Sequence, residues 1–259
     1  MFHTNISDIE GMYTSKMTLL AHDVDCANKW KLSSVFSNTQ EIANFDCKAY
    51  KCDWVTLRDR YNACFVITRM KLKMYLYPGS SDTVRISTWP EDRARTIWTR
   101  YFKFETEDGS RTVGEAVSQW VLMNRTTRSI MKPSEFDIIV PDTSRIPVPF
   151  QLKRGNFDFT PDYSVERIPT YSDLDYNGHV NNARYIEWIM DLFPLDFLYE
   201  YQVAEMDIKY EQEIKHGQKV ILDFKFDKED NTFYVKGYSG ENTAFFRAMG
   251  IFNENGDRT

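Results

Sequence analysis

Residues 182–193 read as a helix with almost no side to show to water. At a period of 3.6, Ala183, Ile186, Met190 and Phe193 make one apolar row and Tyr185, Trp188, Ile189 and Leu192 a second. Only Arg184, Glu187 and Asp191 remain as a polar stripe, so the rest of the fold must wrap this helix. Asn181 and Asn182 supply the capping chemistry that starts it, and Pro194, which has no N–H, stops it.

Just ahead of the helix stand Asp175, Asn177 and His179. Their period-two spacing predicts an extended segment that aims all three side chains to one side, with Gly178 allowing the backbone to turn. The N-terminus of a helix also offers backbone N–H groups suited to a developing oxyanion. Singly, an Asp, Asn or His in a loop is ordinarily a cap or turn residue. An acid, an amide and an imidazole at this spacing point to chemistry.

The wrapping layer is legible as strands. Met70, Leu72 and Met74 alternate with Arg69, Lys71 and Lys73, which predicts a long strand over 63–77 with one buried face. A turn at Pro78-Gly79 follows, then strands from Val84, over 96–104 and over 113–124. Ahead of them come a strand within 12–22 and a helix with Leu32, Val35, Phe36, Ile42 and Ala43 on one face; Ser33, Ser34, Asn38 and Glu41 lie opposite. The same order returns later: a strand over 165–170, the helix after His179, and strands over 205–214, 219–226, 232–238 and 244–252. A shift of 136 lays Met70 on Met206, Val84 on Val220 and Ile86 on Leu222, which implies an internal duplication. The fold class is α+β: two tandem units, each a helix wrapped by an antiparallel sheet. Their expected extents are 1–126 and 163–259, with a proline-rich linker over 127–162 crossing the surface. The first helix carries no acid, amide and imidazole cluster.

Composition excludes several classes of function. A net charge of −6 argues against nucleic-acid binding as the main activity. No apolar run approaches the ~20 residues that a membrane span requires. Cys26, Cys47, Cys52 and Cys64 form no CxxC pair, and no histidines are spaced to complete a metal site with them. They are expected to be reduced thiols. The first residues lack the basic start and apolar core of a signal peptide, so the expected location is cytoplasmic.

The run from Asp175 through Asn177, His179, Asn181 and Asn182 to Tyr185 and Trp188 resembles the signature of the acyl-acyl carrier protein thioesterases, proteins of two tandem hot-dog domains. The likeness continues in Trp120–Arg128 and in the Tyr77-Pro78 turn with Asp82 and Val84. The resemblance implies a catalytic glutamate on the strand after the second helix, followed by a cysteine; Glu213 falls on the glutamate and Ile214 on the cysteine. With isoleucine there, a Cys–His–Asn mechanism has no nucleophile, and carboxylate chemistry is left. Strand parity raises an objection, because it groups Glu213 with Asp207, Lys209 and Glu211 on the face opposite Met206, Ile208 and Tyr210. A bulge near Gln212, or burial of that face between the repeats, would answer it.

The function so implied is hydrolysis of fatty acyl thioesters on acyl carrier protein, with no metal or redox cofactor. Glu213 or Asp175 would polarise water, His179 would transfer a proton or hold the reacting group, and Asn177 would orient; attack by Asp175 through an acyl anhydride is the alternative. The acyl chain is expected in the first repeat, rich in Phe, Met and Trp. The carrier, being acidic, is expected to land on basic residues such as Arg125, Arg128, Lys132, Lys153 and Arg154. Whether a homodimer forms is left open, and the rival readings are an acyl-CoA thioesterase of the same fold and an acyl-binding protein without turnover. With all four cysteines outside the second repeat, a thiol-blocking reagent should leave the chemical step intact. Complete inactivation through one cysteine, prevented by substrate, would overturn the carboxylate mechanism.

Overall fold

The computed structural model describes residues 4–91, 96–241 and 243–255. The chain divides into two compact units, residues 1–30 with 37–152 and residues 31–36 with 153–259.

The first unit contains β1 (Tyr13–Thr18), most of α1 (Leu32–Ala49), α2 (Trp54–Tyr61), β2 (Ala63–Met74), β3 (Thr83–Pro90), β4 (Ile97–Thr106) and β5 (Thr112–Asn124). Its strands run in the order β1-β3-β4-β5-β2, all antiparallel. Alternation decides which face is buried: Met70, Leu72 and Met74 of β2 and Phe102 and Phe104 of β4 are all in the core. Against that face lies α1, where Asp46 Oδ2 takes a 2.6 Å hydrogen bond from Arg100 of β4 and Thr39 donates to Met70 Sδ. Ser33, expected on the polar face of α1, is buried. The short helix α2 escapes the apolar periodicity but carries its own punctuation. Asp53 caps its start by accepting the Val55 and Thr56 N–H groups, and Asn62 ends it in the left-handed region at φ 49°.

The stretch that its prolines mark as connecting chain is anchored along the first unit for much of its length. Met131, Phe136 and Ile138 pack with Leu57, Trp98 and Leu122, and Ile146 packs with Trp89 and Tyr101. Apart from a 3-10 turn at Pro133–Glu135 this segment forms no helix or strand among the described residues, yet its apolar residues still find a core.

The second unit contains β6 (Tyr163–Arg167), α3 (Asn182–Met190), α4 (Leu195–Glu200), β7 (Tyr201–Tyr210), β8 (Val220–Asp227), β9 (Thr232–Tyr238) and β10 (Ala244–Glu254). The strand order β7-β10-β9-β8-β6 repeats that of the first unit element for element. Ala183, Tyr185, Ile186, Trp188 and Ile189 of α3 are buried, while Arg184 and Glu187 pair with each other on the less buried stripe. The helix ends at Met190, earlier than its apolar rows suggest, and Pro194 opens α4 instead. The freed Phe193 packs among Phe197, Phe224, Phe226, Phe233 and Phe252 at centroid distances of 4.8–5.8 Å.

Two glycines let the aromatic core come this close. Gly237 faces Phe246 across β9 and β10, and Gly250 faces Phe233; a Cβ at these glycines would sit 2.1 Å and 2.3 Å from the opposing rings. Gly237→Ala should therefore destabilise the protein by about 1–3 kcal/mol through overpacking. Thermal or denaturant unfolding measures this, and a change below about 0.5 kcal/mol would mean the ring can move aside.

Candidate active site

The loop between β6 and α3 is a tight turn, not the extended segment that period-two spacing suggests. Asp175 makes it so: Oδ1 accepts the backbone N–H of Asn177 at 2.8 Å and of His179 at 3.2 Å. The Asp175 N–H donates to the His179 carbonyl, and Gly178 takes φ +79° where the chain reverses. Leu174 then bridges Val180 in antiparallel fashion. Before the turn, Asp173 accepts the Thr170 N–H and the Trp188 indole N–H, locking the loop to α3. Burial works to raise the Asp173 carboxyl, but these hydrogen bonds prevail and hold it below the usual carboxylate range.

Glu213 reaches this loop from beyond β7. The strand stops at Tyr210, and the N–H groups of Glu211 and Gln212 both donate to the Phe245 carbonyl, at 2.8 and 3.1 Å. Two residues thus answer one on the partner strand, which is a bulge, and the parity of everything after it is reset. Val180 N–H then donates to the Ile214 carbonyl, His179 bridges Lys215, and Glu213 Oε2 lies 3.5 Å from His179 Nε2. The imidazole and the carboxylate are both partly shielded, with side chains 22% and 35% exposed. The expected irregularity near Gln212 is thus present, and it places Glu213 against His179.

All four residues singled out from the sequence therefore gather in one place. Asn177 is exposed, with its Nδ2 3.4 Å from Asp175 Oδ2. The N-terminus of α3 is less open than expected: the Ala183 N–H is taken by the Asn181 side chain and the Arg184 N–H by the Asn181 carbonyl. Beneath the loop, buried Tyr185 sets its ring edge-on to Tyr210 and Phe246. Burial foremost, then the nearby carboxylates of Glu213 and Asp175, push its pKa up, so the phenol stays protonated. A surface hollow of about 370 Å³ is lined by Tyr163, Val165, Glu166, Arg167, Asp191 and Leu192, none of them among the four, and it forms no part of this site. Among the described residues, no group of three or more His, Cys, Asp or Glu side chains is placed to hold a metal ion.

The first unit contains the same turn without the same chemistry. Asp25 Oδ1 accepts the N–H of Ala27 at 2.9 Å and of Lys29 at 3.0 Å, Asp25 N–H donates to the Lys29 carbonyl, and Asn28 takes the left-handed conformation at φ 53°. Val24 bridges Trp30, and Trp30 N–H donates to the Pro78 carbonyl as Val180 does to Ile214. Even the bulge is repeated, since Tyr75 and Leu76 both donate to the Val113 carbonyl. Ala27, Lys29 and Tyr77 occupy the places of Asn177, His179 and Glu213, while Asp25 keeps the place of Asp175. The turn register is offset by 150, against 136 for the strands, and for that reason a single shift hides the match.

Known proteins share both the sequence pattern and the fold. Residues 10–137 match the family described as acyl-ACP thioesterase N-terminal domain, and residues 160–243 match acyl-ACP thioesterase C-terminal domain. The oleoyl-acyl carrier protein thioesterase of Coriandrum sativum is 31% identical over 167 residues, covering 60% of this chain and 45% of that protein. Oleoyl-acyl carrier protein thioesterase 2 of Arabidopsis thaliana is 25% identical over 89% of this chain and 66% of its own length. The chain thus spans about half to two thirds of the curated relatives it matches. Among solved structures, an acyl-ACP thioesterase from Bacteroides thetaiotaomicron aligns with TM-score 0.81 and 24% identity over 94% of this chain and 98% of its own. The 12:0-ACP thioesterase from Umbellularia californica aligns with TM-score 0.77 and 19% identity over 96% and 100%. These likenesses establish the hot-dog fold.

The duplicated turn separates building from chemistry at Asp175. Asp175→Ala and Asp25→Ala should lower stability by similar amounts, about 1–2 kcal/mol each, since each carboxylate holds two backbone N–H groups. Unfolding curves of the two variants check this. A silent Asp25→Ala would show that the carboxylate is not needed to build the turn.

Proposed function

Because this chain belongs to the acyl-ACP thioesterase family, we propose that it hydrolyses fatty acyl thioesters on acyl carrier protein, releasing free fatty acid and carrier in fatty acid biosynthesis. The observation that carries this reading is the Glu213–His179 pair, 3.5 Å apart at the head of a buried helix and present in one repeat alone.

In this reading Glu213 draws a proton from water as the water oxygen attacks the thioester carbonyl carbon. When the C–S bond breaks, His179 hands a proton to the departing sulfur, and Asn177 orients the reacting group. Asp175 is the less suitable base, since its Oδ1 is committed to two backbone N–H groups and the same commitment recurs at Asp25. That commitment speaks equally against direct attack by Asp175. Residues 163–259 are assigned the chemistry, residues 1–126 the acyl chain and residues 127–162 the connection. The carrier's acidic surface is assigned to Arg125, Arg128, Lys132, Lys153 and Arg154, all exposed. Four free cysteines favour a reducing compartment, and the cytoplasm is the proposed one. Among the described residues, no helix is long and apolar enough to cross a membrane.

The test is to offer a panel of acyl carrier proteins and the matched acyl-CoAs and to identify the acids released. Turnover of the carrier substrates supports the proposal, a preference for acyl-CoA would move the protein to the rival donor, and tight binding without thiol release would make it a binding protein. Glu213→Gln should lower kcat by roughly two to four orders of magnitude with little change in substrate affinity. Glu211→Gln is the control, because it costs at most an exposed ion pair to Arg247, about 0–1 kcal/mol of stability. Equal small effects at both positions would remove Glu213 from the mechanism.

A further inference from the structure

The end of α1 is built differently from the end of α3. Lys51 takes the left-handed conformation at φ 54°, its N–H donates to the Lys48 carbonyl at 3.3 Å, and the Cys52 N–H donates to the Cys47 carbonyl at 3.0 Å. These two bonds define a Schellman cap, which commonly brings the side chains of its first and last residues into contact. Here both of those residues are cysteines. The Cys52 thiol donates to the Cys47 carbonyl at 3.6 Å, and the two residues pack in one core cluster at 3% and 7% exposure. By contrast, α3 ends with Asp191 in the right-handed region at φ −64°, and the second unit has no cysteine.

Burial ordinarily leaves a cysteine inert, because a thiol in apolar surroundings keeps its proton. The surroundings of Cys47 are not wholly apolar. Arg100 of β4, itself buried, donates from Nη2 to Cys47 Sγ at 3.5 Å, and from Nη1 to Asp46 Oδ2 at 2.6 Å and Thr88 Oγ1 at 3.2 Å. A guanidinium does not lose its charge in a protein, so one side of the Cys47 sulfur meets a fixed cation that favours the thiolate. Asp46 offsets part of that field and in return holds the guanidinium in place. Cys52 stands in the opposite situation, since its sulfur faces a carbonyl oxygen, which favours the protonated thiol. One sulfur is set up to attack, and its neighbour keeps a proton to give.

We infer that Cys47 and Cys52 are a peroxide-reactive pair, in which Cys47 is oxidised first and Cys52 resolves it to a disulfide. The Cys47 thiolate attacks one oxygen of hydrogen peroxide and the O–O bond breaks. The departing hydroxide takes up the proton that the thiol released and leaves as water, and Cys47 becomes a sulfenic acid. The Cys52 sulfur then attacks the Cys47 sulfur, the S–O bond breaks, and the hydroxyl leaves as a second water with the Cys52 proton. Two thiols have lost two hydrogens, and one peroxide has become two waters. The bridge ties the end of α1 to the residue that precedes Asp53, the cap of α2. None of this depends on the thioesterase reading, because the pair lies in the unit that lacks Glu213 and His179.

The experiment exposes the full chain, freed of reductant, to hydrogen peroxide, blocks the remaining thiols and digests the product with trypsin. Lys48 and Lys51 lie between the two cysteines, so the bridge joins separate peptides, residues 32–48 and 52–58, which part on reduction. The linked peptides should appear about tenfold faster from the folded protein than from the chain in urea, where Arg100 no longer faces Cys47. Equal rates would overturn the inference, since nearness in sequence alone would then explain the link. Oxidation of exposed Cys26 with both buried thiols still reduced would overturn it too. Cys52→Ser removes the resolving thiol, and a dione that traps sulfenic acid should then label Cys47; in Cys47→Ser, Cys52 should stay unlabelled. Label on Cys52 would reverse the roles and count against the part given to Arg100. The bridged protein should also melt higher than the reduced one, because the link restricts the unfolded chain. A lower Tm would show that the native geometry must distort to form the bond, and the cap would not preset it.

Discussion

Two peptide N–H groups converging on one carboxylate oxygen hold the loop from which the whole site is built. At Asp175 the acceptor serves Asn177 and His179, and at Asp25 it serves Ala27 and Lys29. This contact converts five residues into a rigid turn and directs the next residue into an antiparallel bridge, Leu174 to Val180 or Val24 to Trp30. The bridge delivers the chain to its helix at a fixed angle. Only then can Val180 or Trp30 reach the segment that follows the next strand and close the loop against it. A carboxylate accepting backbone N–H groups makes charge-assisted hydrogen bonds, the stronger kind, so the smallest element here sets the geometry of larger ones.

Much of this was legible in the sequence. The two apolar rows of α3 foretold its burial, the alternation at Met70, Leu72 and Met74 foretold the buried face of β2, and β9 runs from Thr232 to Tyr238 as its pattern suggests. The hidden parts share a cause: each depends on hydrogen bonds that have no period. The extended reading of 175–179 failed because an Asp two residues before an Asn can accept its N–H as easily as it can point outward. The end of α3 at Met190 and the restart at Pro194 were masked by Leu192 and Phe193, apolar for the sake of an aromatic cluster and not of a helix. The helix α2 has Leu57 as its one buried residue and thus little apolar rhythm to read.

The Glu213 case is instructive because the sequence argument contained a correct rule and the wrong premise. Parity along an unbroken strand does place Glu213 with Glu211, and Glu211 does face Arg247. The premise failed at Gln212, where two donors share the Phe245 carbonyl and the count slips by one. The same slip at Tyr75 and Leu76 in the first unit shows that the bulge belongs to the repeat itself. Chemistry could then be placed on a scaffold that already turned its post-bulge residue toward the loop. Tyr77 holds that place in one unit and Glu213 in the other.

Ile214 closes the argument about which groups remain to do chemistry. The resemblance puts a cysteine at this position in relatives, yet here the side chain is fully buried at 0% exposure. Its backbone carbonyl is engaged by the Val180 N–H. An aliphatic side chain in that setting contributes packing, on the order of 1.5–3 kcal/mol for a fully buried isoleucine, and offers no nucleophile. The next residue toward the loop is Glu213, partly exposed and 3.5 Å from an imidazole nitrogen. Position 214 thus serves structure through its side chain, and the reacting groups of the proposed mechanism stand close by, Glu213 immediately before it.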